Sequence, residues 1–145
     1  PAAMCRKVAS IPGSEGEVEC WGDGEQTRSF LYIDDCIEAT RRLMESNCTE
    51  VINIGSEEMV SINQLINTAA EVAGKTVTIN HVDGPLGVRG RNSQNDKIRE
   101  ILKWDYSISL KEGISRTYSW IEKQVHKSHL NECWEQYYYP EESGV

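Results

Sequence analysis

The chain lacks several features that would place it at once. No apolar run approaches membrane-spanning length and no signal-peptide pattern is visible, so no membrane partner is expected. Basic charge is in deficit, with 15 Lys and Arg against 23 Asp and Glu and a net charge of −8. A general nucleic-acid binder would show a basic face, and that class is excluded. A small anionic ligand held by a few local arginines is not. Paired cysteines are also missing. The five cysteines, Cys5, Cys20, Cys36, Cys48 and Cys133, are odd in number and widely spaced, with no Cys-x-x-Cys. Neither a zinc site nor a disulfide framework is indicated, and free thiols in a reducing, cytoplasmic setting are expected. His81, His126 and His129 are scattered. His126 and His129 are three apart but lack a third ligand, and read as a solvated helix end rather than a metal site. No Ser, His and Asp arrangement can be assigned.

What is present is ordinary globular material: 145 residues, 39% hydrophobic and 26% charged, enough for one domain with a real core. Pro1 to Ser10 reads as a helix and Glu17 to Trp21 as a strand. Thr27 to Ile33 reads as a second strand, and Asp34 or Asp35 caps a helix to about Ser46. That helix has Cys36, Ile37, Thr40, Leu43 and Met44 on one face. Val51 to Gly55 reads as a short strand. Ser61 with Gln64 forms a capping box for a helix to about Ala73, with Ile62, Leu65, Ile66, Ala69 and Val72 inward. Lys75 to Val82 alternates as a strand, and Gln94 to Leu102 reads as a short helix. Ser109 with Glu112 caps a last long helix burying Leu110, Ile114, Tyr118, Ile121 and Val125. Strands alternate with helices, so the class is α/β, but the strands are too few for a complete doubly wound domain.

Two stretches carry candidate chemistry. In Trp21-Gly22-Asp23-Gly24-Glu25-Gln26-Thr27-Arg28-Ser29-Phe30, a strand closes on an aromatic residue and a Gly-Asp-Gly turn follows. The expectation is a hairpin that fixes the Arg28 guanidinium, whose planar fork suits phosphate oxygens. Gly84-Pro85-Leu86-Gly87-Val88-Arg89-Gly90 matches G-x-x-G-x-x-G after a strand. A dinucleotide reading is disfavoured, because the preceding strand is half polar and no acidic residue is placed to bind a ribose. The loop reads better as a phosphate site. Arg89 and Arg91 alternate, so one can reach a ligand while the other pairs with protein. Arg91 also lies ahead of a helix whose N-terminal amides favour anions.

Trp21-Gly22-Asp23-Gly24, Gln26-Thr27-Arg28-Ser29-Phe30, Ile33-Asp34 and Asn53-Ile54-Gly55-Ser56 resemble the second half of extended short-chain dehydrogenase/reductases acting on nucleotide sugars. Gly87-Val88-Arg89-Gly90-Arg91-Asn92-Ser93 and Pro1-Ala2-Ala3-Met4-Cys5-Arg6-Lys7 narrow the resemblance to the GDP-mannose 3,5-epimerase family. It runs from Pro1 to about Lys127. The segment 128–145, an aromatic and acidic tail with Trp134 and Tyr137 to Tyr139, does not share it and has no assigned role.

The resemblance implies an NAD-dependent epimerase that oxidises its sugar at C4 and exchanges protons at C3 and C5 through a cysteine and a lysine. The family's glycine-rich cofactor loop, Tyr-x-x-x-Lys pair, acid/base cysteine and proton-exchange lysine match nothing here. Cys5 and Cys36 do not match that cysteine, and no catalytic or cofactor-binding residue is assigned. What carries over is substrate binding. Lys7, Gln26, Thr27, Arg28 and Arg91 match positions that hold the GDP-sugar, with Arg28 and Arg91 at its diphosphate. The expectation is the C-terminal, nucleotide-sugar-binding portion (1–127) of a truncated enzyme, without a complete Rossmann domain, binding no NAD and inactive alone. A stand-alone nucleotide-sugar-binding module and a structural, oligomerising remnant are the alternatives. In the family, the helix from about Asp35 and the strand Val51 to Ile54 lean on the cofactor domain. A homo-oligomer is therefore expected, with exchanged elements as one route and the aromatic tail as an anchor.

Overall fold

The computed structural model describes residues 1–138 except Leu86, with side chains described as far as Lys127. Its elements are α1 (Ala2–Ala9), β1 (Glu15–Trp21), β2 (Thr27–Ser29), α2 (Ile33–Glu45) and β3 (Met59–Ser61). They continue with α3 (Ile62–Ala73), β4 (Thr76–Val82), β5 (Gly90–Arg91), α4 (Asp96–Leu102) and α5 (Leu110–Tyr138). Two small sheets result. In one, β1 and β4 pair in parallel from Glu15↔Thr76 to Trp21↔Val82. In the other, β2 lies between β3, antiparallel, and β5, parallel.

The expected hairpin is therefore not formed. β1 pairs across the chain with β4, and the Gly22–Gly24 turn carries the chain from one sheet into the other. Gly22 and Gly24 hold φ of 71° and 69°, which permits this change of direction without Cβ strain. Gly24 is under a second constraint, because a Cβ there would collide with the Asn63 carboxamide.

The main core lies where α1, α3 and α5 meet the inner face of β1, around Cys5, Val8, Val18, Cys20, Leu65, Ile66, Ile114 and Tyr118. Each fully buried Ile or Leu contributes about 1.5–3 kcal/mol over its exposed state. Ser61 accepts from the Gln64 N–H while the Ser61 N–H reaches Gln64 Oε1, at 3.1 and 2.8 Å, and Gly74 closes α3 in the left-handed region. Ser109 accepts from the Glu112 N–H, and Glu58 Oε2 accepts from the Leu110 N–H at 2.8 Å. Lys75 Nζ meets the last carbonyls of α1 at Val8 and Ala9 and the Ile11 carbonyl just beyond it, favourable charge for a helix C-terminus.

Three other expectations give way. Residues 51–55 are not a strand: Ile52 and Ile54 pack onto a second cluster with Ala39, Ile98 and Trp104. β2 ends at Ser29, and residues 30–32 lead directly into α2, whose cap is Tyr32. Asp35 is not a cap. It is buried and accepts from the Ser107 N–H, the Ser107 hydroxyl and the Ile108 N–H at 2.9–3.0 Å. The apolar stripe of α2 lies uncovered, as expected of a face that in the family leans on a further domain. Asp35 and Ala39 face inward, while Ile37 is 58% and Met44 81% exposed. The backbone of α5 continues past Lys127 to Tyr138, and the aromatic side chains of the tail lie outside those described.

Gly24→Ala tests the turn. The left-handed backbone alone costs an L-residue about 1–2 kcal/mol, and the contact with Asn63 adds to it. Urea denaturation should show at least this loss, and an unchanged midpoint would refute the close approach.

Candidate functional site

The residues singled out in the sequence fall into two adjoining parts. Lys7, in the last turn of α1, donates through Nζ to the Glu19 carbonyl at 2.7 Å. With Met4, Cys20, Trp21, Gln26, Ile62 and Pro85 it lines a mostly apolar cleft of about 370 Å³. Gln26 is held through its backbone, whose carbonyl accepts from the Ile62 N–H at 3.3 Å. Its Nε2 donates to the Trp21 carbonyl at 3.4 Å, and its buried Oε1 has no hydrogen-bond partner among the described residues.

Thr27 and Arg28 open the second part. Thr27 donates its N–H to the Arg89 carbonyl at 2.9 Å. The parallel register of β2 and β5 pairs Thr27 with Gly90 and Arg28 with Arg91. Register partners on neighbouring strands share a face of the sheet, so two arginines sixty-three residues apart in sequence become neighbours. Arg28 is half-buried, with Nη1 donating to the Thr27 carbonyl at 2.6 Å, and Arg91 is exposed. Arg41, Arg42, Arg89, Arg99 and Arg116 each pair with a carboxylate, whereas Arg6, Arg28 and Arg91 have none among the described residues. Lys7 has only the Glu19 carbonyl. Lys7, Arg28 and Arg91, on two adjoining surfaces, are thus left without acidic partners in a chain of net charge −8, an arrangement that a bound anion would relieve. Arg28 and Arg91 do not line the apolar cleft; the two parts are joined through Gln26, Thr27 and Arg28.

Arg89 does pair with protein. Its Nη1 lies 2.7 Å from Asp23 Oδ2, which holds the Asp23 carboxyl below its ordinary range and raises the guanidinium.

The glycine-rich loop does not fit a dinucleotide. A Cβ on Gly84 would strike the Trp21 ring at 2.8 Å, and one on Gly90 would lie 3.1 Å from Thr27 Oγ1, so these glycines admit protein side chains. The fingerprint also needs a helix opening from the glycine turn, but β5 follows and α4 begins only at Asp96. Nor does the start of α4 stand free for an anion, since the Asn95 N–H donates to Glu57 Oε1 at 3.0 Å. Trp21, Ile62 and Pro85 were not foreseen as lining residues. Nothing in local spacing announces a cleft assembled from α1, β1, α3 and the loop after β4. Asn63 was missed for the same reason.

Asn53-Ile54-Gly55-Ser56 has a supporting role. Fully buried Asn95 donates from Nδ2 to the Gly55 carbonyl at 2.7 Å and accepts the Ser93 hydroxyl at Oδ1. Glu57 pairs with Arg99 at 2.6 Å, and Arg99 also meets Asp105 at 2.8 Å. No helix among the described residues is long and apolar enough to cross a membrane, and no described cluster of His, Cys, Asp or Glu could hold a metal.

This fold, with its strand–turn–strand passage carrying Arg28, is the C-terminal part of an extended short-chain dehydrogenase/reductase. The family model described as GDP-mannose 4,6 dehydratase matches residues 2–117, and the chain belongs to that family. GDP-mannose 3,5-epimerase of Arabidopsis thaliana is 48% identical over 127 residues, which are 88% of this chain and 33% of that protein. GDP-mannose 3,5-epimerase 1 of Oryza sativa subsp. indica is 46% identical over the same shares. Among solved structures, UDP-glucose 4-epimerase of Thermotoga maritima, with UDP-glucose, superposes with a TM-score of 0.76 at 29% identity. That match covers 85% of this chain and 39% of the other. A UDP-glucuronic acid 4-epimerase of Bacillus cereus, in complex with UDP-glucuronic acid and NAD, gives 0.73 at 31% identity, covering 84% and 40%. The chain spans about a third of the length of the curated relatives it matches.

The Glu57–Arg99 bridge generates a pH prediction. Arg99, and then the Asn95 N–H, lower the Glu57 pKa. A carboxylate depressed in the fold stabilises it above the unfolded-state pKa, and that contribution is lost as pH falls through the folded value. A side-chain carbon NMR titration should place the Glu57 midpoint below that of an ordinary glutamate. A midpoint at or above the ordinary value would contradict the bridge.

Proposed function

We propose that this chain supplies the nucleotide-sugar half of the site of an NAD-dependent epimerase acting on GDP-sugars. Arg28 and Arg91 grip the diphosphate, Lys7 adds a third charge, and Gln26 and Thr27 complete the contacts. The observation that carries this reading is the Arg28↔Arg91 register, which sets side by side two arginines without acidic partners among the described residues. A diphosphate takes two guanidinium groups from separate segments well, because each fork fixes orientation as well as charge. Support also comes from relatives named as GDP-mannose epimerases and from related structures described with UDP-sugars. NAD, where an enzyme of this family holds it, supplies reversible hydride removal from the sugar. In this chain the site residues only bind and orient, and no proton-transfer group is assigned to them. On this reading the chain alone does not turn over GDP-mannose, and its thiols suit a reducing compartment.

A charge-assisted hydrogen bond contributes about 1.5–3 kcal/mol. Arg28→Ala and Arg91→Ala should each weaken GDP-mannose binding by about tenfold or more in calorimetric titration. Arg28→Lys should recover little, and Arg42→Ala, whose guanidinium pairs with Glu38 on α2, should bind like the wild type. If wild type binds and both clamp variants match it, the grip does not exist; if wild type does not bind, the chain by itself is not a binding module.

One observation favours self-association as a second property. Ile33, Ile37 and Met44 form an exposed stripe on α2, and Val51 beyond it is 90% exposed. An uncovered apolar face of this kind drives association in water, and a second copy would cover it. Sedimentation should show a homo-oligomer at micromolar concentration that Ile37→Glu with Met44→Glu dissociates. A compact monomer would refute it.

A further inference from the structure

An ion pair stands beside the proposed grip without belonging to it. Arg89 and Asp23 meet at 2.7 Å with both side chains more than half exposed. Asp23 is itself fastened. Its carbonyl accepts from Asn63 Nδ2 at 3.0 Å, and its Oδ1 accepts from the Glu25 N–H at 2.9 Å. Asn63 also donates its backbone N–H to the Gly24 carbonyl at 3.0 Å and donates Nδ2 to Glu25 Oε1 at 2.8 Å. The turn is thereby tied to the first residues of α3, a helix with a complete capping box. On the other side, the Arg89 carbonyl accepts the Thr27 N–H, and two residues later comes Arg91, the register partner of Arg28. β5 is only Gly90–Arg91, leaving it few contacts of its own.

We infer that Asp23 and Arg89 are positioning residues whose ion pair holds β5 against β2, setting Arg91 beside Arg28. This rests on the diphosphate reading above for its functional consequence, but not for its structural one. An exposed ion pair shifts an equilibrium by only about twofold to fivefold, too little to govern global folding. In a two-residue strand that opens locally, a shift of that size is the relevant one. The pair makes a single contact, Nη1 to Oδ2, rather than a bidentate one, so lysine at position 89 can replace arginine.

The test uses the full chain and two readouts. Amide hydrogen exchange of Thr27, whose N–H donates to the Arg89 carbonyl, is measured without ligand, with the Ile66 and Ala69 amides as internal references. GDP-mannose affinity is measured by calorimetric titration. The variants are Asp23→Asn, which keeps an acceptor for the Glu25 N–H, Arg89→Gln, their double combination, and Arg89→Lys. Asp23→Asn and Arg89→Gln should each speed Thr27 exchange and weaken binding by about twofold to fivefold. The double variant should lose no more than either single, Arg89→Lys should stay near wild type, and the reference amides should not change. Unchanged Thr27 exchange in both single variants overturns the inference, as does a double variant whose losses add. Failure of the wild type to bind GDP-mannose would remove the diphosphate reading alone, because Thr27 exchange still decides whether the pair positions β5.

Discussion

The close approach of Asn63 to the Gly22–Gly24 turn is the constraint on which the rest depends. A left-handed glycine with no Cβ lets the first residues of α3 press onto the chain where it leaves one sheet for the other. From that contact Asn63 reaches the Asp23 carbonyl and Glu25, and its Oδ1 lies 3.0 Å from His81 Nε2 on β4. One carboxamide therefore joins α3, the turn and the sheet of β1 and β4. Since α3 is seated in the main core through Leu65, Ile66 and Ala69, the turn inherits the rigidity of that core. β2 is then fixed on both edges, by β3 and by β5, and Arg28 at its middle has little freedom in backbone position.

The second cluster does different work. Ala39, Ile98 and Trp104 gather α2, α4 and the segment around Ile52 and Ile54, and their polar frame is made by Asp35, Asn95 and Glu57. Each satisfies backbone N–H or carbonyl groups that irregular segments would otherwise leave unpaired. The outer stripe of α2 contributes nothing to either core. An apolar helix face that the fold leaves uncovered is the kind of surface that marks an interaction site.

Legibility in the sequence followed the range of the interactions. α3 was readable in its bounds, cap and buried face, and α5 in its start, cap and buried face, because capping and a 3.6-residue period are local. The partners of β1 and β2 were not. Glu17 to Trp21 and the stretch after the turn look like two arms of a hairpin, yet β1 takes β4 as partner, about sixty residues on. Val51 to Gly55 is apolar enough for a strand, but its Gly55 carbonyl goes to a side chain, Asn95, that no spacing rule connects to it. In α2 the apolar pattern was legible, and the resemblance implied that this face leans on a further domain; Ile37 and Met44 are uncovered accordingly. At the site, motif resemblance singled out Arg28 and Arg91 as a pair, while their shared register and the contrasting tie of Arg89 to Asp23 needed the structure.

A crystal structure of this chain with GDP-mannose tests the central claim most directly. The account predicts the diphosphate between β2 and β5, with Arg28 and Arg91 guanidinium nitrogens both at about 2.7–3 Å from its oxygens and Arg89 still on Asp23. A diphosphate bound elsewhere, with the Arg91 side chain remaining in solvent, would contradict it.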